Sequence, residues 1–331
     1  MFYFLLGGRE AGKSYAVTDF FCRQFELYGR PFYWLRLTEA SQRKLLANNA
    51  EKLIDPDLRR IHKLDLMTKG DNVYNVIKRD KDGKVKEKKL MARVLALSTF
   101  YNDKGSGLFD KDFLKDPNMY YNICLDEMNR EKNEKKTFDI VYAFVNQIEN
   151  LIRSTKNRVR IICIGNTLEE ASDMLIPFNF LPEKFGRYKL HSKRAVIDYI
   201  EPSEKYLKRR EGTVASLLTP DDSTFTNEVI VDRSMIIPGK QRLIVPHTII
   251  MFSKKRSDWF VIWDDNIISM YNGERTNDFI AMRPYINQRF TKELQTKIYQ
   301  IFQAKAFKFR NLMTQKKFQK ELELLKPNGV A

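Results

Sequence analysis

The stretch Gly7-Gly8-Arg9-Glu10-Ala11-Gly12-Lys13-Ser14 constrains this chain more than any other. It satisfies G-x-x-x-x-G-K-[ST], and an apolar run, 2–6, leads straight into it. Glycines let such a loop wrap until its backbone N–H groups point inward at phosphate oxygens. The helix that follows adds the positive end of its dipole. In that arrangement Lys13 reaches the β- and γ-phosphates of ATP, and the Ser14 hydroxyl ligates Mg²⁺. A chance match in a chain of this length is about a one-in-a-hundred event on average composition. The flanks narrow it further, since Tyr15, Val17, Phe20, Phe21 and Phe25 follow at helical spacing. Strand, phosphate loop and helix in succession call for an α/β sheet.

The rest of the first half repeats that alternation. Apolar runs at 31–37, 92–98, 120–125 and 159–164 are separated by helical patterns over 14–28, 39–54 and 138–152, which predicts a mostly parallel sheet. Within it, 69–90 reads as a charged β-hairpin turning at Asp82-Gly83. Residues 183–212 carry nine Lys/Arg against five acids and predict a basic connector with some helix, followed by a polar loop over 219–227. Beyond it, 242–252 and 259–271 read as antiparallel strands. From the N-cap Thr291, a helical stripe runs through Leu294, Ile298, Ile301, Phe302, Phe309 and Leu312. The expected domains are 1–182, a P-loop α/β unit; 183–227, a linker; and 228–331, a smaller α+β unit.

Charge restricts the partners. Against 42 Asp+Glu stand 58 Lys+Arg, a net +16, which favours a polyanion over a small-molecule substrate. The apolar fraction of 43% excludes wholesale disorder, and no apolar run approaches the roughly 18 residues of a membrane span. The first residues lack the basic segment and cleavage site of a signal peptide, so a secreted protein is not expected. Cys22, Cys124 and Cys163 fit no zinc spacing and are expected as buried free thiols in a reducing compartment.

Two further strand ends carry chemistry. Residues 120–125 are apolar and run into Asp126-Glu127, which at the carboxyl end of a parallel strand face the same crevice as the phosphate loop. Asp126 suits the Mg²⁺ shell, through water, and Glu127 suits polarisation of an attacking water. A second carboxylate favours NTP hydrolysis over a simple switch. The run 159–164 ends at Gly165-Asn166, where Asn166 either senses the γ-phosphate or caps the next helix. The helix over 138–152 is followed by Arg153, Arg158 and Arg160. One of these would act as a finger on a neighbour's γ-phosphate, or they simply favour a helix C-terminus.

The segments GGREAGKSYA, LALSTFYNDKGSG, NICLDEMNRE and LIRSTKNRVRIICIGN together resemble the DNA-packaging ATPase of small short-tailed bacteriophages, most strongly over 1–170. The resemblance implies a homopentameric ring on the portal vertex of the prohead, in the host cytoplasm, attached through a prohead RNA and threading double-stranded DNA. It implies an ATPase of the additional-strand, catalytic-glutamate type, with Lys13 and Ser14 at the phosphates and Asp126 and Glu127 as the acidic pair. Arg153 would be the finger acting in trans, Lys104 would lie near channel DNA or act in trans, and Arg130 would be an interface arginine. The C-terminal domain would be RNase H-like without nuclease activity. Asp264-Asp265, the one carboxylate pair there at a strand end, falls short of the three or four carboxylates a two-metal site needs and also fits a hairpin turn. Other readings are a ring helicase or other nucleic-acid-dependent ATPase, or a structural nucleic-acid-binding protein with a vestigial nucleotide site.

Overall fold

A computed structural model describes residues 1–8, 11–103, 120–129, 138–152, 159–165, 173–178, 180–182 and 184–213, then 246–250, 258–263, 267–272, 300, 302–304, 308–309, 315 and 318–319. The chain divides into two compact units, one of Met1–Phe178 with Pro182–Ile230 and one of Asn179–Leu181 with Val231–Ala331.

The first unit is built on nine strands: β1 (Phe2–Leu6), β2 (Phe32–Arg36), β3 (Leu66–Lys69), β4 (Asn72–Arg79), β5 (Val85–Ala96), β6 (Tyr121–Leu125), β7 (Val159–Gly165), β8 (Gly186–Leu190) and β9 (Ala195–Tyr199). They form one sheet in the order β3-β4-β5-β2-β6-β7-β1-β9-β8. From β5 to β9 every pairing is parallel, with Tyr33 opposite Ile123, Cys124 opposite Ile162 and Phe4 opposite Cys163. Strands buried on both faces need continuous apolar sequence, which FYWLR and YNICL supply.

Helix α1 (Lys13–Tyr28) covers one face and buries Val17, Phe21, Cys22 and Phe25 against Phe32 and Trp34. Each such aromatic contributes about 1.5–3 kcal/mol by leaving water. The Phe21 and Phe32 rings lie 5.0 Å apart. Both ends of α1 turn on glycine in the left-handed region, Gly12 (φ 77) at the start and Gly29 (φ 64) at the end. Helix α2 (Glu39–Ala50) opens on a capping box in which the Thr38 side chain accepts from Ser41 N. The expected helix over 39–54 is broken inside α2, where Ala47 leaves helical geometry and Asn48 and Asn49 take left-handed φ of 52 and 55, a conformation asparagine tolerates. A short α3 (Pro56–Ile61) follows its N-cap Asp55. Helix α4 (Ile140–Ile152) buries Ile140, Phe144, Ile148 and Leu151.

Two expectations are corrected here. The hairpin at 69–90 is present, but its second strand runs on without a break as β5 into the run expected at 92–98. The basic stretch 183–212 is no connector, since β9 pairs parallel with β1 and β8 lies antiparallel on its outer side. The buried AVIDY of β9 is a strand that the surrounding basic composition conceals. On β8, Arg187 is exposed and pairs with Asp198, as suits an edge strand. Only α5 (Glu204–Arg210), capped by Ser203, matches the expected helix.

In the second unit β10 (Pro246–Ile250), β11 (Asp258–Trp263), β12 (Ile267–Asn272) and β13 (Lys308–Phe309) form a sheet in that order. The first two pairings are antiparallel and the last parallel. The run 259–271 is therefore two strands, and Asp264 and Asp265 between them lie outside the described residues. Phe309, expected on a helical stripe, is in β13, where its buried ring packs 5.7 Å from that of Phe318.

Candidate nucleotide site

Strand order positions the site. The chain leaves β1, crosses α1 and enters the sheet again at β2, with β6 and β7 between them. The carboxyl ends of β1, β2, β6 and β7 thus open on one edge, which is where a parallel sheet binds ligands. Gly7 and Gly8 are buried at the end of β1, and Gly7 N–H donates to Gly165 O at 3.3 Å. Gly165 lets β7 approach its neighbours closely. A Cβ there would sit 2.9 Å from Met128 Cε and 3.1 Å from Leu6 Cδ2.

Ala11 and Gly12 lead into α1, where Lys13 is only 6% exposed. Its ammonium donates to Gly7 O at 2.8 Å and to Gly8 O, so the loop curls around its own lysine. Burial pushes the Lys13 pKa down to about 8, with the Asp126 carboxylate opposing that shift. Arg9 and Glu10 lie outside the described residues. Ser14 Oγ lies 3.4 Å from Asp126 Oδ1. These two hard oxygens suit a divalent cation such as Mg²⁺.

Asp126 follows β6, 6% exposed, with its N–H donating to Leu35 O at 3.0 Å and its Oδ1 accepting from Glu127 N at 3.1 Å. The next residue turns sharply. Glu127 has φ 55, a left-handed conformation that costs a side-chain-bearing residue roughly 1–2 kcal/mol. The turn is held because Met128 N–H donates to Ile164 O at 2.9 Å, tying the chain to β7. Strain of this kind collects where a side chain must be aimed. Here it leaves the Glu127 carboxylate half exposed above the strand ends.

Sequence reasoning missed Arg36. At the end of β2, next to β6, its guanidinium binds Asp126 Oδ2 at 2.8 Å and also pairs with Glu127 Oε2. The Arg36 side chain is 12% exposed, and its Nε has no hydrogen-bond partner among the described residues. Two cations, Lys13 and Arg36, therefore face two carboxylates. The signal was present, because FYWLR is also an apolar strand ending in a polar residue.

Lys104, Arg130, Arg153, Arg158 and Asn166 lie outside the described residues. Arg160 is at the amino end of β7, the opposite edge of the sheet, donating to Asn122 Oδ1 at 3.1 Å and lying over the Phe20 and Tyr120 rings. Arg160 is therefore remote from the phosphate loop of its own chain. Cys22, Cys124 and Cys163 are buried free thiols, as expected, and burial raises the pKa of each.

With this geometry in view, residues 1–247 match the family described as podovirus DNA encapsidation protein (Gp16). The chain belongs to this family. The DNA packaging proteins of Bacillus phages phi29 and PZA are each 23% identical to this chain over 242 residues, 72% of it. The chain spans about 65% of the length of those relatives. A chain of the bacteriophage phi-29 genome packaging motor assembly aligns over 97% of this chain and 95% of its own, with a TM-score of 0.59 at 20% identity. The phi-28 gp11 DNA packaging motor aligns over 100% and 96%, with a TM-score of 0.56 at 13% identity. These two likenesses show a shared fold.

Proposed function

We propose that the chain is an ATP-hydrolysing subunit of a motor that packages double-stranded DNA into a phage prohead. The observation that carries it is the convergence of Lys13, Ser14, Asp126 and Glu127 on one sheet edge, in a chain of the Gp16 family. A phosphate loop with one carboxylate fits nucleotide binding. The added half-exposed glutamate, aimed by a left-handed turn, supports hydrolysis.

In this reading the backbone N–H groups of the loop and the Lys13 ammonium hold the triphosphate. Ser14 and Asp126 hold Mg²⁺, which supplies charge neutralisation at the phosphates when bound. Glu127 orients the lytic water and accepts its proton. Arg36 keeps both carboxylates paired before nucleotide arrives. Arg153 is the finger of a neighbouring subunit in a pentameric ring, and Asn166 senses the γ-phosphate. Lys104 meets channel DNA, and Arg130 lies at the interface. The basic second unit is RNase H-like, cuts no DNA, and meets prohead RNA and the portal vertex in the host cytoplasm. The net charge of +16 supports polyanion partners.

The deciding experiment is ATPase turnover measured with and without proheads and double-stranded DNA. Stimulation by both is expected, and Glu127→Gln retains ATP without turning it over. Wild-type turnover indifferent to DNA and proheads sinks the motor reading. Undiminished turnover in Glu127→Gln moves the catalytic base elsewhere.

A further inference from the structure

The nucleotide site leaves one built feature of the first unit unused. Beyond the point where β3 stops pairing, at Leu66 opposite Asn75, strands β4 and β5 continue as a free two-stranded ribbon. Strand β2 joins β5 only from Ala92 onward. Because β5 runs parallel to β2, the ribbon leaves the sheet at the edge opposite the phosphate loop. Residues 85–91 of β5 carry it about 20 Å outward at the rise of a strand.

Its tip is rigid by construction. Asp80 Oδ1 accepts from Asp82 N at 3.0 Å and Lys84 N at 2.8 Å, Gly83 turns at φ 77, and Asp80 N–H donates to Lys84 O at 2.9 Å. Arg79 braces the stem through a two-bond pair with Asp65 at 2.7 and 2.9 Å. A preorganised element loses little entropy on binding.

Its charge is lopsided. Residues 76–90 hold seven Lys/Arg and three acids. Arg79 is paired as above, Lys88 lies 4.1 Å from the Tyr74 ring centre, and Lys89 lies over Phe25. Lys78, Lys81, Lys84 and Lys86 are exposed and make no ion pair or ring contact among the described residues. Charge on an exposed ribbon keeps its edges from pairing with another chain. Four unpaired ammonium groups gathered on one projection also match the charge of a polyphosphate backbone.

We propose that this ribbon is a DNA-docking element, placing Lys78, Lys81, Lys84 and Lys86 against the phosphates that flank a major groove. Two strands about 4.8 Å apart fit the roughly 12 Å major groove of a B-form duplex. The deep, narrow major groove of an A-form RNA duplex excludes them. Lys78 lies on β4 and Lys86 on β5, and Lys81 and Lys84 flank the turn that joins them. The proposal rests on the motor reading for its biological sense and adds a DNA contact remote from the ATP edge.

The test uses full-length protein and a 30-base-pair DNA duplex (about three turns), followed by fluorescence anisotropy across a salt series. Each lost phosphate contact flattens the slope of log K against log salt by about 0.9, so Lys→Gln at all four positions flattens it by about 3.6. Affinity for a matched RNA duplex changes far less, and Lys→Arg at the four positions restores the DNA slope. Melting temperature and DNA-free ATPase turnover stay at wild-type values, since the four side chains are exposed and far from the nucleotide. An unchanged slope in the Lys→Gln protein overturns the ribbon while leaving the motor reading standing. Equal losses on DNA and RNA overturn the groove assignment. Wild-type protein that binds neither duplex overturns both the ribbon and the motor.

Discussion

Lys13 makes nucleotide affinity depend on pH in a range where an ordinary lysine is silent. Its ammonium is 6% exposed, and burial brings its pKa from 10.5 to about 8. A triphosphate set beside it favours the charged form, so binding above pH 8 takes up a proton. Affinity is then flat below about pH 8 and falls toward tenfold for each further pH unit. At about pH 9.5 the loss is roughly 30-fold. A lysine left at 10.5 would show almost none of this. The assay is titration of a fluorescent ATP analogue between about pH 7 and pH 10. Calorimetry in two buffers of different ionisation enthalpy counts the proton taken up. Lys13→Met weakens binding at every pH and removes the dependence.

The same shift has a stability counterpart of defined sign. The folded pKa lies below the unfolded one, so the cost of the buried charge is complete below pH 8. It is relieved as pH rises from about 8 to 10.5. The drop from 10.5 to about 8 corresponds to about 3 kcal/mol, which the nucleotide-free wild-type protein carries and Lys13→Met does not. Equal wild-type affinities at about pH 7.5 and 9.5, or proton release instead of uptake, would falsify the account of Lys13.

Three other substitutions probe the geometry around it. Glu127→Gly should be more stable to denaturant than Glu127→Ala by roughly 1 kcal/mol, because only glycine is at ease at φ 55; equal stabilities would mean the turn is unstrained. Both lose hydrolysis. Gly165→Ala should cost up to about 1 kcal/mol, since the Met128 side-chain end and Leu6 must give way, with a favourable coupling to Met128→Ala in a double-mutant cycle; additive effects would refute the contact. Arg36→Ala leaves the buried Asp126 without its guanidinium and should cost about 3 kcal/mol, read as a fall in melting temperature that Mg²⁺ reverses more than in wild type. An unchanged melt would show that the pairing carries no net stability.

What the sequence discloses follows from where each constraint acts. The phosphate loop is legible because its chemistry is local: glycines must bend there, and the lysine must follow within a few positions. Asp126 and Glu127 are legible because a continuous apolar strand points at them. Arg36 ends a strand of the same kind, yet alone it says nothing, since its role exists only because β2 lies beside β6, ninety positions away along the chain. Strand β9 escaped for a related reason. Its apolar AVIDY is short and sits amid Lys193, Arg194 and the basic helix that follows, and only its parallel pairing with β1 converts it into core. Phe309 escaped because a spacing of seven from Phe302 fits a helix as well as it fits a chance alignment of two apolar residues. The rule that emerges is about range. Residues chosen by a ligand advertise themselves in sequence, and residues chosen by a distant strand do not. The four lysines of the β4–β5 ribbon bear on that rule directly. They read as an ordinary solvated surface until the register shows that β3 and β2 both stop short of them, leaving a rigid charged projection.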